Sequence, residues 1–275
     1  MRIIKGVAAT SVAMFIAATP ALAAPTNIPA MQSTIQYSKT STAASGFGNF
    51  TRATSTVVYD PVAGTYTIRD TGSLTTTSTF GPSNISSTNA NFTTYSKPGT
   101  GTTETFRVLN ASAPLIALSY THYGQWRRTS TASGTTSVND TYLVWGTRSP
   151  SSAVTSGTGS YSTIVDGTFV NKTGSYTVSG TGTFNADFTG GTIAYSTTAS
   201  ATPETSGTAF SFGTMTGTGS IASRSASFKG TGATNGTGYA MDVAGNFYGP
   251  AAQEIGGTFR IRGNSGNGTG AIVGH

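Results

Sequence analysis

An all-β fold is predicted for this chain by three observations. Thr, Ser and Gly dominate the composition, and 12 Tyr and 14 Phe recur among them; Thr and the aromatics favour strands, while Gly marks turns, bulges and close backbone approach. Residues 174–188 alternate with a period of two. Tyr176, Val178, Gly180, Gly182, Phe184, Ala186 and Phe188 share one face, with Ser, Thr, Asn and Asp on the other. That is the pattern of a strand with one packed and one wet face, and a disordered Ser/Thr-rich stalk would lack it. Similar segments then repeat with turn signals between them and no helical period.

The elements follow in chain order. Met1 to Lys5 is a short basic start, Gly6 to Ala18 is apolar and small, and Ala21-Leu22-Ala23 supplies a small-residue cleavage site after Pro20. That order predicts a secretory leader over 1–23 and an exported protein. From 24 to about 112 a smaller, handle-like β region is expected. It contains a hairpin, with Thr56–Tyr59 and Thr65–Arg69 joined by Asp60-Pro61-Val62-Ala63-Gly64, and further strands near Leu74–Phe80, Phe92–Tyr95 and Glu104–Leu109. A soft boundary is placed at Ala111–Pro114.

From 113 to 275, strands are predicted near Leu115–Arg128, Tyr142–Gly146, Gly159–Phe169, Gly174–Phe188, Gly191–Thr198, Gly217–Ala222, Ser227–Thr234, Tyr239–Phe247, Gly257–Arg262 and Thr269–Val273. Asn171-Lys172-Thr173-Gly174 and Asn235-Gly236 supply left-handed turn residues for hairpins. Sequential hairpins without helices imply an antiparallel up-and-down barrel of about eight strands, closed so that no edge is exposed. The wet face is Thr and Ser, so a small, filled barrel is expected and not one embedded in an outer membrane, which needs an outward apolar band.

Composition excludes several functions. There is no cysteine, hence no disulfide, no thiolate metal site and no thiol to carry a lipid anchor. No segment is long and apolar enough for a transmembrane helix. The formal charge of +6 falls to +4 once Arg2 and Lys5 leave with the leader, and the charges are scattered, so a nucleic-acid partner is not expected. His122 and His275 are the only histidines, and the carboxylates form no metal or catalytic grouping. No catalytic residue, metal site or resident cofactor is assigned, and a monomer is expected.

The most specific segment is Gly245-Asn246-Phe247-Tyr248-Gly249-Pro250-Ala251-Ala252-Gln253-Glu254-Ile255-Gly256-Gly257-Thr258-Phe259. It resembles the F-Y-G-P-x-A-x-E-x-G-G-x-F signature of bacterial transferrin-binding protein B-like barrels. Tyr123-Gly124-Gln125-Trp126, Tyr142–Gly146 with Ser149-Pro150, Ser156-Gly157 with Tyr161, and Ala186-Asp187-Phe188 precede it in family order. The motif itself has the look of an architectural corner. Phe247 and Tyr248 end a strand, one ring in the barrel and one at its rim. Gly249-Pro250 turns the chain, and residues 251–254 are expected to form a single helical turn. Gly256-Gly257 lets the next strand approach closely, and Glu254 is expected to accept from amides of that turn or from Tyr248.

The resemblance implies a non-catalytic solute-binding protein in iron or haem acquisition, located in the periplasm, outside the cell or at its surface. Its partner would be an unidentified protein or an iron or haem ligand. A secreted haem carrier and a structural or adhesive surface protein are the alternatives. Haem directs attention to His122 with Tyr120 and Tyr123, where an imidazole able to ligate iron sits among rings able to sandwich a porphyrin. On a strand His122 shares a face with Tyr120 and opposes Tyr123, so a rim histidine beside core aromatics is the competing reading. Arg127-Arg128 would point to opposite faces, and Tyr59 and Tyr95 are weaker ligand candidates.

Overall fold

The computed structural model describes residues 26–40, 44–71, 76–205, 207–222, 225–263 and 265–275, with backbone alone at 26 and 44–54. The expected leader lies outside the described residues. Among the described residues the named elements are strands apart from two short 3-10 turns, Pro82–Asn84 and Ser151–Val154. The first nine are β1 (Thr26–Lys39), β2 (Ala44–Asp60), β3 (Thr65–Asp70), β4 (Thr77–Phe80), β5 (Ile85–Thr88), β6 (Phe92–Gly99), β7 (Thr102–Leu109), β8 (Thr121–Ala132) and β9 (Thr135–Gly146). The other eight are β10 (Thr158–Asn171), β11 (Gly174–Asp187), β12 (Thr192–Pro203), β13 (Phe210–Ala222), β14 (Ser227–Gly232), β15 (Tyr239–Tyr248), β16 (Glu254–Gly263) and β17 (Gly266–Gly274).

Strands β10 to β17 form a closed eight-stranded barrel in sequence order, sealed by β10 against β17 from Thr163↔Gly274 to Asn171↔Gly266. Inward residues at alternate positions fill it: Phe169, Phe184, Phe212, Phe228, Phe247 and Phe259 are all fully buried. Glycine makes room for the larger rings, since a Cβ on Gly217 would stand 2.2 Å from the Tyr195 hydroxyl. The outward side of β11 and β12 carries exposed Thr177, Ser179, Thr181 and Thr198, the opposite of a lipid-facing apolar band.

Strands β1 to β9 form one antiparallel sheet in the order β4-β3-β2-β1-β9-β8-β7-β6-β5. The boundary expected near Ala111–Pro114 falls between β7 and β8, which are paired in this sheet. β8 and β9, read from sequence as barrel strands, pair with β7 and β1 instead, and the change of sheet comes within 147–157. The sheet curls into a half-barrel: Phe80 on edge strand β4 touches the rings of Tyr95 on β6 and Phe106 on β7 at 6.3 and 5.5 Å. Val57, Ile68, Trp126, Leu143 and Trp145 complete this second core.

The other face of the curled sheet packs on the outside of the barrel. Tyr123, Tyr142 and Val144 meet Ile164, Tyr248, Ala271 and Val273 there. Polar pairs cross the same seam. Ser33 and Thr269 hydroxyls are 2.6 Å apart, Arg107 reaches Asp166 at 2.5 Å, and Arg127 bridges the buried Asp140 to Glu204.

Local turns follow the sequence in part. Asp60 caps the β2–β3 hairpin by accepting from the Val62 and Ala63 amides, with Gly64 at φ +62°. Asn171 caps β10–β11 by accepting from the Thr173 and Gly174 amides, but none of residues 171–174 takes the expected left-handed conformation. At Asn235 the left-handed residue is Gly238, φ +84°, and not Gly236, because Asn235 accepts from Thr237 and Tyr239 in a longer loop.

Candidate ligand-binding site

Alternation along β8 sets the site. His122 and Trp126 point into the half-barrel, whereas Thr121 and Tyr123 point toward the eight-stranded barrel. The β8–β9 register places His122 opposite Trp145, and their rings stack at 5.9 Å and 27°. The β2–β3 hairpin does the same for Tyr59 and Tyr66, whose rings lie 4.7 Å apart. Tyr66 in turn meets Tyr95 at 6.0 Å and Trp145 at 6.4 Å, both edge-on.

These five rings, with Ile28, Val108 and the 109–111 segment, enclose a cavity of about 450 Å³ at the mouth of the half-barrel. Ligand pockets commonly span roughly 300–1,000 Å³ with a mostly apolar lining and a few polar groups. Burial holds His122 below the ordinary histidine value, against a weaker opposing pull from Glu254. At neutral pH it is therefore an uncharged imidazole with a free lone pair, the form that ligates metal. Burial also raises the phenols of Tyr66 and Tyr95, and neighbouring phenols raise them further. The wall is thus electrically neutral. Among the described residues no group of three or more His, Cys, Asp or Glu could hold a bare metal ion. The arrangement suits a flat conjugated ligand set among these rings, with an imidazole and phenols in reach of it.

The three residues singled out from sequence are not together. His122 lines the mouth, while Tyr123 is buried on the opposite face of β8. Tyr120 precedes β8, so strand alternation does not govern it. Its ring packs with the Tyr123 cluster and lies over Gly249, where a Cβ would come within 2.6 Å. Tyr59 and Tyr95, the weaker candidates, do line the mouth. Trp145 and Tyr66 were not singled out. The signal that would have revealed Trp145 is the turn at Ser133-Gly134, both with positive φ, which fixes the hairpin register. Arg127 and Arg128 do point apart: Arg127 faces the barrel seam, and Arg128 stacks on Trp126 at 4.1 Å beside Asp70.

The signature segment is a corner, built differently from expectation. Phe247 is in the barrel core, but Tyr248 is fully buried against the curled sheet and not at a rim. No helical turn forms after Pro250. A single β-turn closes with the Ala252 amide donating to the Gly249 carbonyl at 3.3 Å, and Ala252 is left-handed at φ +56°. Glu254 serves neither that turn nor Tyr248. Its carboxylate accepts from three successive amides of another segment, Ser119 at 2.6 Å, Tyr120 at 3.0 Å and Thr121 at 2.8 Å. Gly256 allows the approach, since a Cβ there would meet Thr121 and Val144 side chains at 2.6 and 2.7 Å. The signature thus fixes the residues that immediately precede His122, and this also delays the start of β8 from the expected Leu115 to Thr121.

A family model described as the C-lobe and N-lobe beta barrels of Tf-binding protein B matches residues 120–274, more than half of the chain. The chain belongs to this family. Among solved structures, transferrin binding protein B of Haemophilus parasuis Hp5 (a double mutant) is similar at 12% identity and TM-score 0.45, over 92% of this chain and 76% of that one. Isotype 1 transferrin binding protein B of serogroup B Neisseria meningitidis is similar at 20% identity and TM-score 0.46, over 88% of this chain and 42% of that one. The N-lobe domain of lactoferrin binding protein B of Moraxella bovis is similar at 13% identity and TM-score 0.38, over 88% and 99%. No curated protein matches the chain. No helix among the described residues is long and apolar enough to cross a membrane.

Proposed function

We propose that this member of the transferrin-binding protein B barrel family is an exported, non-catalytic binding protein that serves iron or haem acquisition. The observation that carries the reading is the neutral, ring-lined mouth of the half-barrel, a preformed concave site of ligand size held in place by the family signature itself through Glu254. Binding needs such a site. The test is fractionation of the producing cells followed by identification of what copurifies with the exported pool. An iron-bearing protein or haem is the expected companion. An exported pool carrying neither iron nor haem, with host serum supplied, overturns the acquisition role.

One observation favours a haem carrier as the second reading: His122 is neutral, stacked on Trp145 and at the edge of the cavity. Hemin titration of the purified protein is then expected to shift the Soret band and quench Trp145, one of only two tryptophans. His122→Ala is expected to abolish the shift. A shift that survives this substitution removes the histidine from the ligand set.

A further inference from the structure

A second concavity lies outside the half-barrel, where β6, β7 and the 115–118 segment overhang the outer surface of β10 to β13. It holds about 480 Å³ and continues past Leu115 into a further 540 Å³ toward Thr183 and Ser196. Its floor is the solvent face of a fully laddered sheet, bearing exposed Thr177, Ser179, Thr181, Thr198 and Ser200. Its overhang carries apolar Phe92 and Leu115, the latter 44% exposed, facing Ile164 on β10. At one end Arg107 is stacked on Phe92 at 4.5 Å and donates from one nitrogen to Asp166. Its buried Nε has no hydrogen-bond partner.

We infer that this groove binds a neutral oligosaccharide. Three features select that chemistry. Arg107 and Asp166 are the charged residues lining the 480 Å³ section, and they pair, so that section recruits no ionic ligand; the adjoining section adds His275. The floor strands already pair with one another, so an extended peptide finds no free backbone edge to join. What remains is a grid of hydroxyls, spaced about 6.8 Å along each strand and about 4.8 Å between strands, beneath an apolar ledge. Sugar rings present that combination, with hydroxyls around the rim and C–H faces that pack on rings and aliphatic side chains. The Asp166 carboxylate, held by Arg107 at this end of the groove, adds an acceptor for a sugar hydroxyl. A fatty acid fits less well, because its chain would lie on a hydroxyl floor.

The experiment is saturation-transfer NMR and calorimetry on the full chain with cellotetraose, chitotetraose and maltotetraose, and with lauric acid and a neutral ten-residue peptide as competitors. At least one tetrasaccharide is expected to bind. Thr177→Val with Thr181→Val keeps side-chain shape on an exposed face while removing two hydroxyls, and is expected to weaken that binding about tenfold, the loss of one or two net hydrogen bonds. Phe92→Ala, which removes the ledge, is expected to do the same. No transfer from any tetrasaccharide overturns the inference. So does binding indifferent to the double valine variant, or binding of lauric acid or the peptide alone. The hemin outcome at the mouth bears on neither result, since the groove shares none of its lining with that cavity.

Discussion

Glu254 offers the sharpest test of how the family signature supports the mouth. Its carboxylate is buried and accepts three backbone amides, two through Oε2 and one through Oε1. Glu254→Gln preserves shape but keeps one acceptor oxygen. With that oxygen turned to Tyr120 and Thr121, the new amide group opposes the Ser119 N–H, donor against donor. Hydrogen bonds to a charged partner contribute about 1.5–3 kcal/mol each, against about 1 kcal/mol for neutral ones. Losing one and weakening two, with a discount for the solvent contact of Ser119, gives roughly 3 kcal/mol. For a chain of this size that lowers the thermal midpoint by about 6–12 °C, at roughly 2–4 °C per kcal/mol. Calorimetry measures the midpoint, and amide exchange at residues 119–121 locates the effect. His122 directly follows the clamped Thr121, so hemin-induced quenching of Trp145 should weaken as well. A midpoint within about 1 °C of the parent, with exchange unchanged, would refute the clamp.

Arg127→Met strips the buried Asp140 of its cation and leaves it only Gln125 and Thr168 as donors; broken buried pairs cost about 3–5 kcal/mol, and partial exposure of Arg127 puts the expected loss near 3 kcal/mol by urea denaturation. Gly256→Ala should destabilise by about 1–3 kcal/mol through overpacking, because the new methyl must push the barrel from the curled sheet; an unchanged denaturation midpoint contradicts the close approach. His122 also makes stability depend on pH. Its folded value lies below its unfolded value near 6.5, so the unfolded chain binds the proton first as pH falls. Stability should be full above about pH 6.5 and decline below it until the folded value is passed. His122→Gln should flatten that part of the urea-midpoint profile, and a parent profile already flat from pH 7 to 5 sinks the reading.

Much of the fold could be read locally. The β2–β3 and β10–β11 hairpins follow from Asp60 and Asn171, whose side chains cap turns within three residues of themselves. The inward set of β11 follows from two-residue alternation. The candidate site was legible as His122 and, more weakly, as Tyr59 and Tyr95. The 135–141 stretch of β9 reads as turn-like Thr, Ser, Asn and Asp, yet it is a central strand held by β1 and β8 on either side. Without that strand the hairpin register, and so Trp145 opposite His122, was out of view. Tyr120 was misplaced because the Glu254 clamp keeps residues 119 and 120 out of the strand.

The sequence alone determined that this chain is β throughout, that its C-terminal part closes as a filled barrel, and that residues 247–259 form a corner of one family. Those features rest on interactions between residues near in the chain: alternation, turn chemistry and the packing of consecutive hairpins. Tertiary structure alone decided that β8 and β9 leave the barrel strands to pair with β7 and β1, and that Glu254 reaches back more than 130 residues to Ser119–Thr121. It also gathered rings from β2, β3, β6, β8 and β9 into one mouth. The physical reason is common to all three. Each is a long-range pairing whose partners are polar or aromatic residues of ordinary local pattern, selected by which faces remain to be buried once the hairpins have formed.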